Sequence, residues 1–246
     1  MIRTARTPIA MAFLIASLAA LPMRAAASDN DSDEAPPLVV MADFNHDGIA
    51  DMAKVAPPTG DPSQPRNLIV LLGQRDGSFQ STDSDPVLGR DPQAIVVGDF
   101  NGDGNPDVIV GDSDGSLMEF LGDGKGNLVS NGDITRLASV VSIAVGDFNH
   151  DGTLDLAVSD SKSNTVTILL GGGKGTFRSA WSFRLPMQGK IYRLAAADFN
   201  GDGLPDLAVT SDDDDSFEVM LGNGNGTFTS SPTLSRLKDP NAHCVT

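Results

Sequence analysis

The nonapeptide DFNHDGTLD at residues 147–155 is the most informative part of this sequence, because its pattern of acidic, amide and glycine residues recurs three more times. The other copies are DFNHDGIAD at 43–51, DFNGDGNPD at 99–107 and DFNGDGLPD at 198–206. Their first aspartates lie 56, 48 and 51 residues apart. The chain therefore contains an internal repeat with a period of about 50 residues, and this period is the basis for predicting its architecture.

A second motif follows each copy of the first. It reads LLGQRDGSF at 71–79, FLGDGKGNL at 120–128, LLGGGKGTF at 169–177 and MLGNGNGTF at 220–228. Two independent motifs that recur in the same order four times exclude a chance match. The period lies in the range of propeller blades.

Each repeat also predicts four strands. In the third repeat, apolar runs at 140–146, 154–159, 165–170 and 177–184 alternate with turns rich in Gly, Asp and Asn. No segment after the first 27 residues keeps a 3.6-residue apolar period, so almost no helix is expected. The predicted fold is all-β, a β-propeller of four four-stranded blades.

The first repeat carries an insertion between its second and third strands. The inserted residues 57–67 read PPTGDPSQPRN and include four prolines. Proline cannot donate a ladder hydrogen bond, so this segment is expected to be a surface loop.

The spacing within the nonapeptide predicts a metal loop. Oxygen-bearing side chains occupy positions 1, 3, 5 and 9, and glycine at position 6 permits a tight turn. In such a loop these oxygens turn towards one cation, and the carbonyl of position 7 can join them. Because the ligands are hard oxygens, calcium is favoured, with about four ions per chain.

An EF-hand begins in the same way but requires a glutamate at position 12 and flanking helices. Position 12 is occupied here by Lys54, Val110, Val158 and Val209. The EF-hand is excluded, and the aspartate at position 9 is expected to complete the coordination. Asp, Asn and Gly are also ordinary turn residues that bind nothing, but four unchanged copies favour a metal. His46 and His150 fill the variable position 4 and are expected to be exposed.

The two motifs together resemble the FG-GAP or VCBS-type repeat, which is found in integrin α-subunit propellers and in many secreted bacterial proteins. The resemblance covers about residues 38–236, and the closest single stretch is 147–177. It implies a propeller whose blades each bind calcium between their first and second strands. By this resemblance the side-chain ligands are Asp43, Asn45, Asp47 and Asp51; Asp99, Asn101, Asp103 and Asp107; Asp147, Asn149, Asp151 and Asp155; and Asp198, Asn200, Asp202 and Asp206. The carbonyl ligands are those of Ile49, Asn105, Thr153 and Leu204.

The blade number departs from the integrin type, which closes with seven blades. Four repeats are expected here, at about 38–90, 91–138, 139–188 and 189–238. Residues 239–246 (DPNAHCVT) align with 91–98 (DPQAIVVG), the start of the second repeat. Three arrangements stay open: a truncated or open propeller, a small closed four-bladed ring, and a half-ring completed by another chain. An open arc leaves the faces of its end blades able to self-associate.

The first 27 residues predict a signal peptide. Two arginines near the start precede a short apolar run, and Ala25-Ala26-Ala27 supplies small residues before the cleavage point. The apolar run is shorter than the ~20 residues of a membrane span. Residues 28–37 are expected to be a disordered linker. The mature protein is thus expected to be secreted or periplasmic, with no membrane span.

The net charge of the chain limits the classes of partner that it can be expected to bind. It has 17 basic and 33 acidic residues, a net charge of −16, which becomes −19 if the leader with its three arginines is removed. A nucleic-acid partner is disfavoured, because such binders need basic surfaces. Cys244 is the single cysteine, so a disulfide framework is excluded.

The expected function is a binding, adhesion or scaffold module with an extracellular protein or glycan ligand, rather than an enzyme. The sequence has no G-x-S-x-G motif and no H-E-x-x-H motif. A propeller lectin or a component of a carbohydrate-active enzyme is the alternative. However, the repeats contain no aromatic residue at a recurring position that is expected to stack on a sugar ring. Phe44, Phe100, Phe148 and Phe199 of the metal loops, and Phe79, Phe177 and Phe228 of the fourth strands, are all expected to pack.

Overall fold

The computed structural model describes residues 38–58, 64–184, 191–211 and 217–231, and within them it contains strands and no helix. Each repeat forms one four-stranded antiparallel sheet whose strands lie in chain order. The all-β prediction with four four-stranded blades is therefore confirmed. The leader, the linker and the C-terminal tail at 239–246 lie outside the described residues.

The strands of the four blades are numbered in chain order. The first blade contains β1 (Val39–Ala42), β2 (Asp51–Val55), β3 (Leu68–Gly73) and β4 (Phe79–Ser81). The second contains β5 (Pro92–Gly98), β6 (Asp107–Asp112), β7 (Ser116–Gly122) and β8 (Leu128–Arg136). The third contains β9 (Val140–Gly146), β10 (Asp155–Asp160), β11 (Thr165–Gly171) and β12 (Phe177–Phe183). The fourth contains β13 (Ile191–Ala197), β14 (Asp206–Ser211), β15 (Phe217–Gly222) and β16 (Phe228–Ser230).

The core is divided among the spaces between neighbouring blades. One apolar cluster joins the first blade to the second, where Phe44 and Val70 share an interior with Phe120. A second cluster joins the second and third blades, and a third joins the third and fourth. No apolar cluster of the described residues joins the fourth blade to the first. Each blade thus packs against the next one along the chain, and we call this row of four blades the arc.

Hydrogen bonds from the glycine-rich turns to the preceding blade lie at the end of the arc that carries the predicted metal loops. The backbone N–H of Gly126 in the β7–β8 turn donates to the Phe44 carbonyl of the first loop at 2.9 Å. Gly226 donates in the same way to Phe148 at 2.8 Å. The glycine-rich turns of the second, third and fourth blades thus dock on the predicted metal loop of the preceding blade, which makes the loop part of the interface between blades.

The inserted residues 57–67 lie at the opposite end. Pro57 and Pro58 are exposed, and residues 59–63 lie outside the described residues. Asn67, the last residue of the insertion, forms an isolated antiparallel bridge with Val87, and the N–H of the next residue, Leu68, donates to the Pro86 carbonyl at 2.9 Å. The insertion is therefore anchored to the connector between the first and second blades.

Candidate metal centres

Each predicted metal loop connects the first and second strands of its blade. In the third blade the loop leaves β9 at Gly146 and enters β10 at Asp155. These two residues are also register partners across the sheet, so both ends of the loop are fixed by strand pairing. The strands thus hold the loop as a closed turn.

The loop oxygens at positions 1, 3 and 5 are held together by hydrogen bonds. In the third blade, Asp147 accepts hydrogen bonds from the backbone N–H groups of Asp151 (2.9 Å) and Gly152 (2.8 Å). The Asn149 amide donates to Asp151 Oδ2 at 2.8 Å, and the Thr153 N–H donates to Asp151 Oδ1 at 2.9 Å. The three side chains named as ligands are therefore neighbours, arranged by the backbone of the loop itself.

The other three loops repeat this geometry. The position 1 carboxylate accepts the N–H of glycine at position 6 at 2.9 Å in the first, second and fourth blades. The amide at position 3 donates to the carboxylate at position 5 in each of them. Their residues at positions 1, 3, 5 and 6 are Asp43, Asn45, Asp47 and Gly48; Asp99, Asn101, Asp103 and Gly104; and Asp198, Asn200, Asp202 and Gly203.

Position 4 looks variable in the sequence, but all four loops use the same backbone conformation there. His46 and His150 have φ values of +59° and +58°, and Gly102 and Gly201 have +76° and +79°. A positive φ favours glycine and disfavours most other residues. Both histidines are exposed, as predicted. The backbone conformation thus constrains which residues position 4 accepts.

Position 9 behaves differently from the other acidic positions. Asp51, Asp107, Asp155 and Asp206 are fully buried. In the third blade, Asp155 Oδ2 accepts the N–H groups of Phe148 (2.8 Å) and Asn149 (3.3 Å), and Oδ1 accepts the N–H of Gly171 (2.8 Å). This carboxylate therefore fastens the loop to the end of β11.

The same fastening joins the two sequence motifs in every blade. Gly73, Gly122 and Gly222 donate to the position 9 carboxylates of their own blades at 2.7, 2.9 and 2.8 Å. A Cβ atom at these glycines would lie 2.2–2.3 Å from the position 8 carbonyl, which leaves no room for a side chain. The sequence reasoning missed this pairing. The signal that could have found it is the fixed order of a buried acid and a strand-ending glycine in all four repeats.

Burial of position 9 changes its acidity. Burial raises the pKa of Asp107 to about 6 and that of Asp155 to about 6, although backbone hydrogen bonds oppose the effect. The pKa of Asp51 is raised for the same reason. At exposed positions the direction is opposite. The hydrogen bonds from Thr153 lower the pKa of Asp151, and the N–H of Gly203 lowers that of Asp198. A cation would favour the ionised form of every one of these carboxylates.

The carboxylate and amide oxygens of each loop are the kind of donor atom that calcium prefers. None of the loop carboxylates forms an ion pair with a Lys or Arg among the described residues. No group of three or more Asp, Glu, His or Cys in the described part of the chain is arranged so that it could hold a metal ion. Each loop holds two acids and one amide as neighbours, while its third acid, at position 9, is engaged by backbone N–H groups. The role of position 9 as a calcium ligand stays a prediction.

The aromatic residues of the two motifs only partly pack as expected. Phe44, Phe100 and Phe148 are buried, and Phe228 is buried against Phe148 with ring centroids 5.4 Å apart. The expectation is wrong for two residues. Phe199 is 40% exposed and Phe79 is 45% exposed, because each lies on an end blade of the arc.

Comparison with known sequences agrees with this architecture. The family model described as the FG-GAP-like repeat matches residues 43–110, 99–158, 151–209 and 198–246. No curated protein matches the chain. The described residues contain no helix that is long and apolar enough to cross a membrane. Since the family matches run from residue 43 to residue 246, the chain belongs to the family of FG-GAP-like repeat proteins.

Proposed function

We propose that this protein is an exported, calcium-binding β-propeller module with a binding, adhesion or scaffold role and no catalytic activity. Export to the periplasm or beyond the cell is supported by the leader at residues 1–27, with its basic start, apolar run and small residues. A non-catalytic role is supported by the absence of recognisable nucleophile and metalloprotease motifs from the sequence.

The observation that carries the calcium proposal is the fourfold repetition of one loop geometry. Each loop holds two carboxylates and one amide as neighbours, and no protein cation pairs with them among the described residues. Hard oxygens concentrated in this way suit calcium best. When bound, calcium would neutralise the negative charge of the loop carboxylates and would join the ligand positions of the loop to one another. Position 9 has lone pairs beyond those used by N–H groups, because a carboxylate offers about four acceptor sites.

The expected contribution of calcium to stability is substantial. If extracellular calcium is ~1 mM and the dissociation constant lies between ~10⁻⁴ and ~10⁻³ M, each site adds roughly 0.4–1.4 kcal/mol. Four sites together would add about 2–6 kcal/mol, which is comparable with the whole stability of an ordinary domain. The loops also accept hydrogen bonds from the glycine-rich turns of neighbouring blades, so calcium would stabilise the contacts between blades as well as each blade.

The test is thermal unfolding of the mature protein with calcium and with EDTA. We expect EDTA to lower Tm by at least about 5 °C and excess calcium to restore it. Asp47→Asn, Asp103→Asn, Asp151→Asn and Asp202→Asn should each reduce the difference between the two conditions. Asp133→Asn, at an exposed residue of β8, serves as the matched control and should leave the difference unchanged. An EDTA curve that overlays the calcium curve would refute the calcium proposal.

Native mass spectrometry counts the bound ions in the same preparation. We expect about four calcium ions on the wild type and one fewer on each loop variant. A wild type that binds none, or variants that retain the full number, would contradict the assignment of sites to the loops. The mass also reports how many chains associate, which bears on the scaffold role.

A further inference from the structure

Five asparagines of the chain are followed directly by glycine, and one of them differs from the rest in its surroundings. The five are Asn101, Asn131, Asn200, Asn223 and Asn225. In an Asn-Gly pair the backbone nitrogen of the glycine can attack the side-chain amide before it, because glycine has no Cβ to obstruct the approach. Whether a given pair reacts depends on how its side chain and its backbone are held.

Asn131 lies in a β-bulge of β8. Its neighbours Ser130 and Gly132 both have register partners on β7, whereas Asn131 has none and is the extra residue of the bulge. Gly132 has a φ of +91°, and no atom lies within 4 Å of the place where its Cβ would be. Its N–H donates to Ser130 Oγ at the long distance of 3.3 Å. The backbone on this side of Asn131 therefore has room for the approach that the reaction needs.

A buried carboxyl group contacts the Asn131 amide. Glu119 on β7 is 1% exposed, and its Oε2 lies 2.7 Å from Asn131 Nδ2. The other oxygen of Glu119, Oε1, has no hydrogen-bond partner. An ionised carboxylate in this place would keep a charged oxygen without a donor, so burial favours the protonated acid. The carboxyl group is thus positioned to give a proton to the amide nitrogen.

Burial raises the pKa of Glu119, and the hydrogen bond from Asn131 opposes this effect. The charged residues of the elements around it are Asp107 and Asp112 of β6, Asp133 and Arg136 of β8, Lys174 of the β11–β12 turn and Arg178 of β12. None of them is among the causes of the shift. The proton affinity of Glu119 therefore follows from its burial and from Asn131 itself.

The other four Asn-Gly pairs are held differently. In each of them the side-chain Oδ1 accepts a hydrogen bond from a residue further along the chain, at 2.8–3.2 Å. No donor among the described residues reaches the Oδ1 of Asn131. The amides of Asn101 and Asn200 also donate to carboxylates, but Asp103 and Asp202, which carry these groups, are exposed. Only the amide of Asn131 is thus next to a buried acid among the five pairs.

We propose that Asn131 is a self-modification site, which the folded protein converts to aspartate or isoaspartate with Glu119 as the general acid. The Gly132 nitrogen forms a bond to Cγ of Asn131 and releases its proton to water. The Cγ–Nδ2 bond then breaks, and Nδ2 takes the proton of Glu119 and leaves as ammonia. Water opens the resulting cyclic imide at either carbonyl, and Glu119 regains a proton from solvent. One amide and one water thus give one carboxylate and one ammonium ion, with no oxidation or reduction.

The product changes the contact between the second and third blades. Asn131 Nδ2 lies 3.5 Å from the Gly175 carbonyl of the third blade, and a Cβ at Gly175 would lie 3.1 Å from Glu119 Oε2. Conversion places a second carboxyl group beside Glu119, where two like charges repel each other. The isoaspartate form also adds a methylene group to the backbone of β8. The contact between these blades is therefore expected to weaken as the protein ages, independently of calcium binding by the loops.

The test is peptide mapping by liquid chromatography and mass spectrometry of the purified protein, incubated for increasing times near neutral pH. Trypsin cuts after Lys125 and Arg136 and so separates Asn131 from the other four pairs. We expect peptide 126–136 to gain the mass of an amide-to-acid exchange at least about tenfold faster than the peptides of the other pairs, since a positioned general acid contributes roughly 10²–10⁴-fold. Equal rates at all five pairs would overturn the proposal.

A variant without the acid identifies the role of Glu119. Glu119→Gln keeps the size of the side chain and should slow conversion at Asn131 by about tenfold or more, while the other four pairs keep their rates. Glu218→Gln is the matched control, because Glu218 is also buried but bonds to Ser230. Rates are measured below the Tm of each variant, so that unfolded chains do not supply the product. If Glu119→Gln left the Asn131 rate unchanged, or if both substitutions lowered it alike, Glu119 would not be the general acid.

The pH dependence distinguishes proton donation from positioning of the amide. The ratio of the wild-type rate to the Glu119→Gln rate cancels the pH dependence of the backbone attack, which is the same in both proteins. We expect this ratio to fall as pH rises through the folded pKa of Glu119, since the carboxyl group then loses the proton that it donates. A ratio that stays constant with pH would refute proton donation by Glu119.

Discussion

Asp155 and Asp151 belong to one loop but are held in different ways, and unfolding measurements can distinguish them. Asp155→Ala removes the acceptor of three backbone N–H groups, two of which lie within 2.8 Å of its carboxylate. Each unpaired buried donor costs about 1–3 kcal/mol, so we expect a loss of about 3 kcal/mol or more, with calcium or with EDTA. Asp151→Ala changes an exposed residue. It should cost about 1 kcal/mol in calcium and little in EDTA.

Urea unfolding in both conditions provides the measurement. If the loss caused by Asp155→Ala disappeared in EDTA, position 9 would act only as a ligand and the fastening role would be wrong. A loss from Asp151→Ala that persisted undiminished in EDTA would instead mean that position 5 stabilises the loop without a metal.

These two residues also show what a sequence can reveal. The metal-loop positions are local, so their spacing over nine residues was enough to predict that Asp147, Asn149 and Asp151 are neighbours. One of the three N–H partners of Asp155 is Gly171, which lies 16 residues further along the chain on another strand. No rule of local spacing specifies such a contact, because it depends on how β10 and β11 pair. The constraint on position 4 was hidden for another reason: His and Gly differ as side chains but share a positive φ.

At the scale of elements, the end of the third strand in each blade is held against the predicted metal loop by a glycine. A Cβ at Gly171 would lie 2.2 Å from the Leu154 carbonyl. We expect Gly171→Ala to destabilise the protein by about 2 kcal/mol or more, because backbone atoms must move. Gly132→Ala in β8 is the control. Its φ of +91° disfavours alanine, but no atom lies within 4 Å of the added Cβ, so it should cost about 1 kcal/mol.

Thermal or urea unfolding of the two variants shows which of them loses more stability, and this order tests the prediction. If backbone conformation alone governed the cost, Gly132→Ala would be the worse variant, and the close approach of β11 to the loop would carry no weight. The prediction requires the reverse order.

Glu119 in β7 stands where the other blades place Val70, Ile168 and Val219 on their third strands. It is 1% exposed, its Oε2 accepts the Asn131 amide at 2.7 Å, and its Oε1 has no partner. Burial raises the pKa of Glu119 above its ordinary value of 4.5. The folded state thus binds this proton more tightly than the unfolded state, so stability should fall as pH rises from about 4.5 through the folded pKa.

Glu119→Gln replaces this titrating carboxyl group with an amide that does not titrate. We expect the free energy of unfolding of the variant, relative to the wild type, to increase between pH 4 and pH 8. The acidic residues of the loops are present in both proteins, so their titration cancels in the difference. A difference that stays constant over this range would show that Glu119 titrates alike in the folded and unfolded states.

At the scale of the whole molecule, the repeat predicted the blades and their order. How the blades are placed relative to one another depends instead on the contacts between them. The four strands expected in the third repeat match β9 to β12 within one residue at each end. Their alternation of apolar and turn residues is local and repeats four times. The number of blades in a ring is not encoded locally, because it follows from the small angle between neighbouring sheets. Each apolar cluster of the described residues joins two blades that follow one another in the chain.

An open arc, which is one of the three arrangements expected from the sequence, predicts self-association through its end faces. Phe199 on the fourth blade is 40% exposed, whereas its counterparts Phe44, Phe100 and Phe148 are 1–2% exposed under the turns of the next blades. A second copy could cover this side chain with the outer face of its first blade, which carries the exposed Phe79. Because head-to-tail contacts of this kind do not bury one patch against itself, they are heterologous and extend with concentration.

Sedimentation velocity over a range of protein concentrations tests this contact. Phe199→Ser should shift the association to higher concentration by about tenfold, since burial of an aromatic side chain contributes 1.5 kcal/mol or more. Val129→Ser is the matched control, because Val129 is 62% exposed but lies on β8 of an inner blade. It should associate like the wild type. A wild type that stays monomeric throughout, or equal effects of the two substitutions, would mean that the end face of the fourth blade is not a contact between copies. Retention of Tm by Phe199→Ser would show that the change acts on association alone, because the exposed ring contributes little to the fold.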